Sequence, residues 1–483
     1  MNLDDSLIKF KDNPTDFWTL RDAVRGVQIF GAIGSGKSSG SGQLLALSYL
    51  KKGFGGIVLT GKVDEMDVWR QYADRVGRLD DIVEFSPKNI HQFNPLDYEL
   101  NREGEGAGET ANIVSLFILI AKMSNRLNGS SGGDSKDPFW EMALQRLMTA
   151  SIDLIKLSRR RLTIENICRL IRDAPLQKNY YNDFINLIDS EKEEDSKSLE
   201  KWTDESETIC ALYDAELSKM TFDRAEKRAY EVVKAYFLSE FSTLPDKTRG
   251  SIVEYFYAFA SPLRAGTLAE YFAQGTSKEV LPERTFEGKI IVLNFPVKKY
   301  LQVGIYAQAI YKRMWQQAVE RRDIEKYPNP VFMWIDEAQY FINEEDMLFQ
   351  TTARSARACT VMLSQNISNY YATIGGSHPI QRVDSLLGNL STKIFHANND
   401  HVTNLWAAET IGKTFQEKDT LNVESEGSSI SKQLDYQVQP QSFTMLRTGS
   451  SINECQIDGV VTCTGKIWSN GKNYLKTYFN QNI

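Results

Sequence analysis

Long apolar runs are missing from this sequence. The longest, Ile113–Ala121 (IVSLFILIA), is about half of what a membrane-spanning helix needs and reads as a buried core helix. The opening MNLDDSLIKF has no basic segment followed by an apolar one, so no secretory signal is expected. Cysteine is sparse: Cys168, Cys210, Cys359, Cys455 and Cys463 are scattered, odd in number and never spaced C-x-x-C. That argues against a cysteine-based metal site and, with the missing signal, points to a reducing cytoplasm. The histidines, His91, His378, His396 and His401, are too scattered to form a metal set. Basic charge is also short, with 56 Lys and Arg against 63 Asp and Glu and a net charge of −7. Proteins that coat nucleic acid are usually basic, so any DNA contact has to be confined to a groove or pore. No stretch interleaves aromatic and basic residues as single-strand binders do, and no internal repeat is present.

The chain does have 483 residues with ordinary globular fractions, 42% apolar and 25% charged, enough for two or three domains. Short apolar, β-rich runs recur at Val27–Gly31, Gly56–Thr60 and Ile82–Phe85. They recur again at Lys289–Phe295, Val331–Ile335, Thr360–Leu363 and Thr392–His396. Helical sequence separates them, including Asp67–Gly77, and this alternation predicts an α/β fold with a mainly parallel sheet. Between about Thr110 and Phe272 the pattern is helical instead, with amphipathic stretches at Phe139–Ser158 and Thr163–Asp173. Gly129–Pro138 reads as a flexible Gly/Ser loop and Asp189–Glu207 as a solvated charged segment. The expected division is a first α/β part over 1–150, an inserted all-helical domain over 151–284, and a second α/β part over 285–483. The tail is β-rich, with Asn470-Gly471 as a hairpin signal.

Chemistry concentrates at Gly31-Ala32-Ile33-Gly34-Ser35-Gly36-Lys37-Ser38, a full match to G-x-x-x-x-G-K-[ST] between a strand and a helix. Gly31, Gly34, Ser35 and Gly36 would let backbone N–H groups wrap phosphate oxygens, and the next helix presents its positive end. Lys37 would reach the β- and γ-phosphates, Ser38 would ligate Mg²⁺, and Ser39 extends the cradle. ATP and Mg²⁺ are therefore the expected cofactors.

A second acidic strand follows at Val331–Glu337 (VFMWIDE). Its first acid, Asp336, is expected on Mg²⁺, and Glu337 is expected to polarise the attacking water as general base. The strand TVMLSQ ends at Gln365, placed to sense the γ-phosphate or orient water. Arg354 and Arg357, three apart on an expected helix, would share a face. One of them could act from a neighbouring subunit as an arginine finger. Arg159-Arg160-Arg161 reads as charge favourable to a helix C-terminus rather than as a DNA contact.

Taken in order, these segments resemble the cytoplasmic motor of type IV secretion coupling proteins. These are the conjugative DNA-transfer ATPases of the TraD/TraG type, in the FtsK/HerA superfamily. The resemblance runs from Leu20 to about Phe479. It is carried by Leu20–Gly42, by Phe93-Asn94-Pro95-Leu96, by Asp336-Glu337-Ala338-Gln339 with Ser364-Gln365-Asn366, and by Thr392–Lys413. It implies a RecA-like P-loop NTPase core with an inserted all-helical domain, forming a hexamer with ATP at subunit interfaces. Some members place their arginine finger eleven residues before the glutamine, which favours Arg354 over Arg357. The sequence departs from the family in two ways. It begins almost directly at the motor, without the N-terminal transmembrane region of many members. Where many of them show D-x-K-x-E after the second strand, it has Thr60-Gly61-Lys62-Val63-Asp64-Glu65, to which no catalytic role is assigned.

The expected function is an ATP-driven, ring-forming DNA translocase serving conjugative or mobile-element transfer. Its expected partners are DNA, further copies of itself, a relaxase or nucleoprotein cargo, and a membrane-bound channel. It is expected in the cytoplasm, recruited by a partner to the inner face of the membrane. Two alternatives stand beside it. One is an ATP-gated adaptor that recruits relaxase or effector without translocation. The other is a related motor of an anti-phage defence or DNA-partition system.

Overall fold

Runs of Val, Ile, Leu and Phe that are apolar on both faces can only be buried on both faces, and here they form one sheet. The computed structural model describes residues 1–11, 13–127, 138–176, 184, 206–375, 378–422 and 427–481. Its strands are β1 (Ser6–Lys9), β2 (Phe17–Thr19), β3 (Val27–Phe30), β4 (Gly55–Leu59) and β5 (Ile82–Phe85). There follow β6 (Ile290–Leu293), β7 (Val331–Ile335), β8 (Ala358–Ser364) and β9 (Thr392–Phe395). Last come β10 (Lys413–Asn422), β11 (Gly427–Tyr436), β12 (Gln456–Cys463) and β13 (Tyr474–Asn480).

The main sheet has nine strands in the order β13-β12-β9-β3-β8-β7-β4-β6-β5. From β9 to β5 all neighbours are parallel. β12 and β13 add an antiparallel edge. The expected α/β, mainly parallel architecture is the observed one. β3 lies between β9 and β8, with Phe30 level with Phe395 and Ser364. The ends of these three strands therefore share one rim of the sheet. Asn470 and Gly471 lie in the turn between β12 and β13, where Gly471 takes φ 71°. Two further antiparallel pairs, β1–β2 and β10–β11, stand outside the main sheet and were not expected.

The chain separates into two compact units, one of 1–89 with 279–483 and one of 90–278. The first holds every strand found among the described residues. Its core joins Trp18, Leu50, Trp69, Phe332, Val361 and Leu475, all buried. The second carries helices and no strand among its described residues. It starts near residue 90, whereas the expected insertion began at 151. Asn94 opens it by capping helix Pro95–Asn101, its Oδ1 accepting from the Leu96 amide at 3.0 Å. The apolar run at 113–121 lies in helix Thr110–Leu127, which packs on helices Pro138–Leu157 and Asp246–Ala260 of the same unit. That packing carries residues 110–150 into the helical unit. Arg160 pairs with Glu207 and Asp214 there. Most of the expected loop at 129–138 and most of the charged segment at 189–207 lie outside the described residues. No helix among the described residues is long and apolar enough to cross a membrane.

Candidate active site

The loop after β3 is built by glycine. Gly34 and Gly36 take φ 74° and 83°, a region L side chains rarely enter. The chain then makes a π-turn over Ser38–Gly42 before helix Gln43–Lys51 begins. In that turn the Gly42 amide donates to the Lys37 carbonyl at 2.9 Å. A Cβ at Gly42 would stand 2.9 Å from that same oxygen, so the turn requires glycine. Isolated π-turns are frequent at functional sites. Lys37 is buried; burial pushes its ammonium below the ordinary range, and Glu337 and Asp336 oppose that. The Ser35 hydroxyl is buried with no hydrogen-bond partner.

β7 delivers the acids to the same rim. The Asp336 amide donates to the Leu59 carbonyl at 3.1 Å, extending the pairing with β4. Glu337 then turns into the left-handed region at φ 52°, ψ 51°. For a residue with a Cβ this costs on the order of 1–2 kcal/mol, strain of the kind that clusters at functional sites. The turn points its carboxylate at two amides. Gln339 Nε2 donates to Glu337 Oε2 at 2.7 Å, and Gln365 Nε2 reaches the same oxygen at 3.4 Å. Gln339 is held in turn by the Ser364 hydroxyl, which donates to its Oε1 at 3.0 Å. Lys37, Ser38, Asp336, Glu337 and Gln365 thus share one rim.

Lys62 completes the cluster. Its Nζ donates to Asp336 Oδ2 at 2.6 Å and to Ser38 Oγ at 3.4 Å. Burial works against its charge, but Asp336, with Glu65 and Glu337, outweighs this and raises its pKa. Burial and then the Asp336 charge push buried Glu65 up to about 8, against the pull of Lys62. Ser38 and Asp336 supply a hydroxyl and a carboxylate oxygen, the hard donors Mg²⁺ takes, and both already face a cationic nitrogen. The residues present fit the metal.

On the other side of the loop His396 is fully buried. Its Nδ1 lies 2.8 Å from the Asp458 carbonyl, which can only accept, so Nδ1 carries the proton. Nε2, 2.7 Å from Ser41 Oγ, therefore accepts from that hydroxyl. Ile457 of β12 packs on Gly36 and Gly40, and Gln481 Nε2 donates to Ser39 Oγ at 2.9 Å. The antiparallel edge thereby buttresses the glycine loop.

The two arginines are placed elsewhere. Helix Glu344–Thr352 ends before both, and they lie in the turn leading into β8, not on a shared helical face. Arg357 has φ 48° and donates through Nη1 to the Pro328 carbonyl at 3.0 Å. Arg354 is exposed. Both precede β8, whereas Gln365 follows it, so the strand's seven residues, about 20 Å, separate them from the rim.

Residues 330–452 match the family model for the TraM recognition site of TraD and TraG. The stretch spans β7 to β11. Comparison with curated proteins gives no match. Among solved structures, the unbound bacterial conjugative coupling protein TrwBdeltaN70 matches at TM-score 0.53 and 12% identity, over 96% of this chain and 86% of that one. The fold is that of the coupling protein TrwB. TrwB in complex with the GTP analogue GDPNP matches at TM-score 0.52 and 11% identity, over 97% of this chain and 89% of that one. TrwB in complex with ADP and Mg²⁺ matches at 0.51 and 11%, over 96% and 86%. In this TrwB-like, RecA-type fold the cluster lies where the parallel strands end, the usual ligand edge of such sheets. Gln339 and His396 had no role assigned from the sequence. Gln339 is three residues from Asp336 in a stretch already singled out, so that proximity was the available signal. His396 had none, because its partners lie 355 and 62 residues away.

Proposed function

We propose that this chain is an ATP-hydrolysing, ring-forming motor of the coupling-protein type that moves DNA or nucleoprotein for mobile-element transfer. The convergence of Lys37, Ser38, Asp336 and Glu337 on one rim of a TrwB-like fold carries this reading. Bound MgATP would supply the phosphoryl group whose transfer to water drives the motor. Lys37 would neutralise phosphate charge, and Ser38 and Asp336 would hold the metal. Ser35, Ser39 and the loop glycines Gly31, Gly34 and Gly36 would cradle the phosphates. Glu337, oriented by Gln339 and Gln365, would accept the water proton. Arg354, remote from its own rim and exposed, suits a finger that serves the next subunit. The partners in this reading are DNA, further copies in a hexamer, a relaxase-bound cargo, and a channel at the inner face of the membrane.

The match over 330–452 to a segment named for recognising TraM favours a second reading, an ATP-gated adaptor that docks a partner without translocating. ATP turnover measured with and without DNA separates the two. The motor should be stimulated by DNA and lose turnover in Lys37→Ala. An adaptor should show no stimulation, and its Glu337→Gln variant should keep cargo binding. Unchanged turnover in Lys37→Ala would sink the catalytic assignment.

A further inference from the structure

Lys62 belongs to a sequence motif that the catalytic reading leaves without a role, and it sits where a metal ion would. Its ammonium bridges Asp336 Oδ2 and Ser38 Oγ. An ammonium that donates to both oxygens and a Mg²⁺ ligated at about 2.1 Å by the same two cannot share the point. We propose that Lys62 is a resident counter-ion that competes with the divalent metal for Ser38 and Asp336, so that metal enters only together with the triphosphate. This inference rests on the nucleotide-site reading above.

Three observations support it. The first is that the placement is built in. Lys62 follows β4 in a turn where the Thr60 hydroxyl accepts from the Lys62 amide at 2.9 Å. Thr60 is itself pinned, its amide donating to Gln308 Oε1 at 2.7 Å inside the core. The second is charge. Asp336 and Glu337 face Lys37 and Lys62, with Glu65 also acting on Lys62, so the two ammoniums already offset most of the acidic charge. A divalent ion gains little from a site so offset, whereas deleting Lys62 leaves a carboxylate in excess. Incoming phosphates reverse this by adding negative charge for both cations to share. The third is that the ammonium has somewhere to go. Glu65, on helix Glu65–Arg75 directly after the turn, also acts on Lys62 electrostatically.

The test is a titration of the full chain with Mn²⁺ alone, free metal being read by electron paramagnetic resonance. Removing the competing unit charge in Lys62→Met should tighten Mn²⁺ binding about tenfold or more. Lys62→Arg should stay near the parent. Asn in place of Asp336 in the Lys62→Met background should abolish the gain. Adding ATP should improve Mn²⁺ affinity more in the parent than in Lys62→Met. Because Lys62→Met leaves a buried carboxylate unpaired, Lys62→Gln is titrated in parallel, and a folded Lys62→Gln decides the matter if Lys62→Met does not fold. Mn²⁺ affinity equal to the parent's in the neutral variants overturns the proposal, as does a gain that survives loss of Asp336. A separate titration of the parent with fluorescent ATP and Mg²⁺ keeps the two readings apart. No nucleotide binding there defeats the proposed function, whereas the Mn²⁺ comparison still reads the competition for Asp336.

Discussion

At the scale of single residues, the site is controlled by side chains that serve as partners to the acids. Gln339 holds Glu337 Oε2 at 2.7 Å and is itself fixed by Ser364. Gln339→Leu keeps the volume and removes the donor, so Glu337 should lose its aim while the phosphate cradle stays intact. Steady-state kinetics should show kcat falling about tenfold or more with KM little changed, the pattern of a group that orients a general base. His396 gives a pH signature. Burial, aided by the Lys37 charge and opposed by the Asp458 carbonyl, holds its pKa at about 4 against an ordinary 6.5. Between those values the unfolded chain binds the proton and the folded chain does not, so stability falls as pH drops through this window. The full effect is on the order of 3 kcal/mol. Urea melts at pH 7 and pH 4.5 should therefore differ more in the parent than in His396→Gln. Lys37 was legible in the sequence from the spacing of the glycine loop, and Asp336 and Glu337 from their place directly after an apolar strand. Gln339, His396 and Lys62 were not, because their roles come from contacts the fold makes. The Lys62–Asp336 pair joins positions 274 apart.

At the scale of elements, burial on both faces decided what could be read. β6 and β7 are continuous apolar runs buried at every position, and such runs identify themselves. β10, KTFQEKDTLN, mixes polar and charged residues, and its cross-strand pair Phe415 and Leu434 stays exposed. No core imprints a period on such a ribbon, so it escaped notice. The segment after the acidic strand depends on another buried feature. Lys312, on helix Val297–Glu320, donates to both Asp346 oxygens at 2.7 and 2.6 Å and to the Phe341 carbonyl at 2.7 Å. Both side chains are fully buried. Lys312→Met would leave Asp346 charged and unpaired in the core, costing on the order of 3–5 kcal/mol. Chemical denaturation should show that loss. Lys312→Met with Asp346→Leu should recover much of it, since two apolar side chains leave no orphaned charge.

At the scale of the whole molecule, one arginine decides whether the site is complete within one chain. Arg357 already donates to the Pro328 carbonyl, whereas Arg354 is exposed in the turn before β8. The rim that carries Lys37 and Glu337 lies past the far end of that strand, which leaves Arg354 remote from the site of its own chain. If it stabilises transition-state charge, it does so on a neighbour, and the contact is head-to-tail, the kind that closes into a ring. Arg354→Ala and Glu337→Gln should then each abolish DNA-stimulated turnover on their own. Mixed in equal amounts, about one interface in four joins an intact Glu337 site to an intact Arg354, the random expectation for a head-to-tail contact. Turnover should reappear in the mixture while both pure variants stay inactive. A mixture as silent as its components would remove Arg354 from catalysis and leave the glycine loop, the acids and Gln365 as a site complete within one chain.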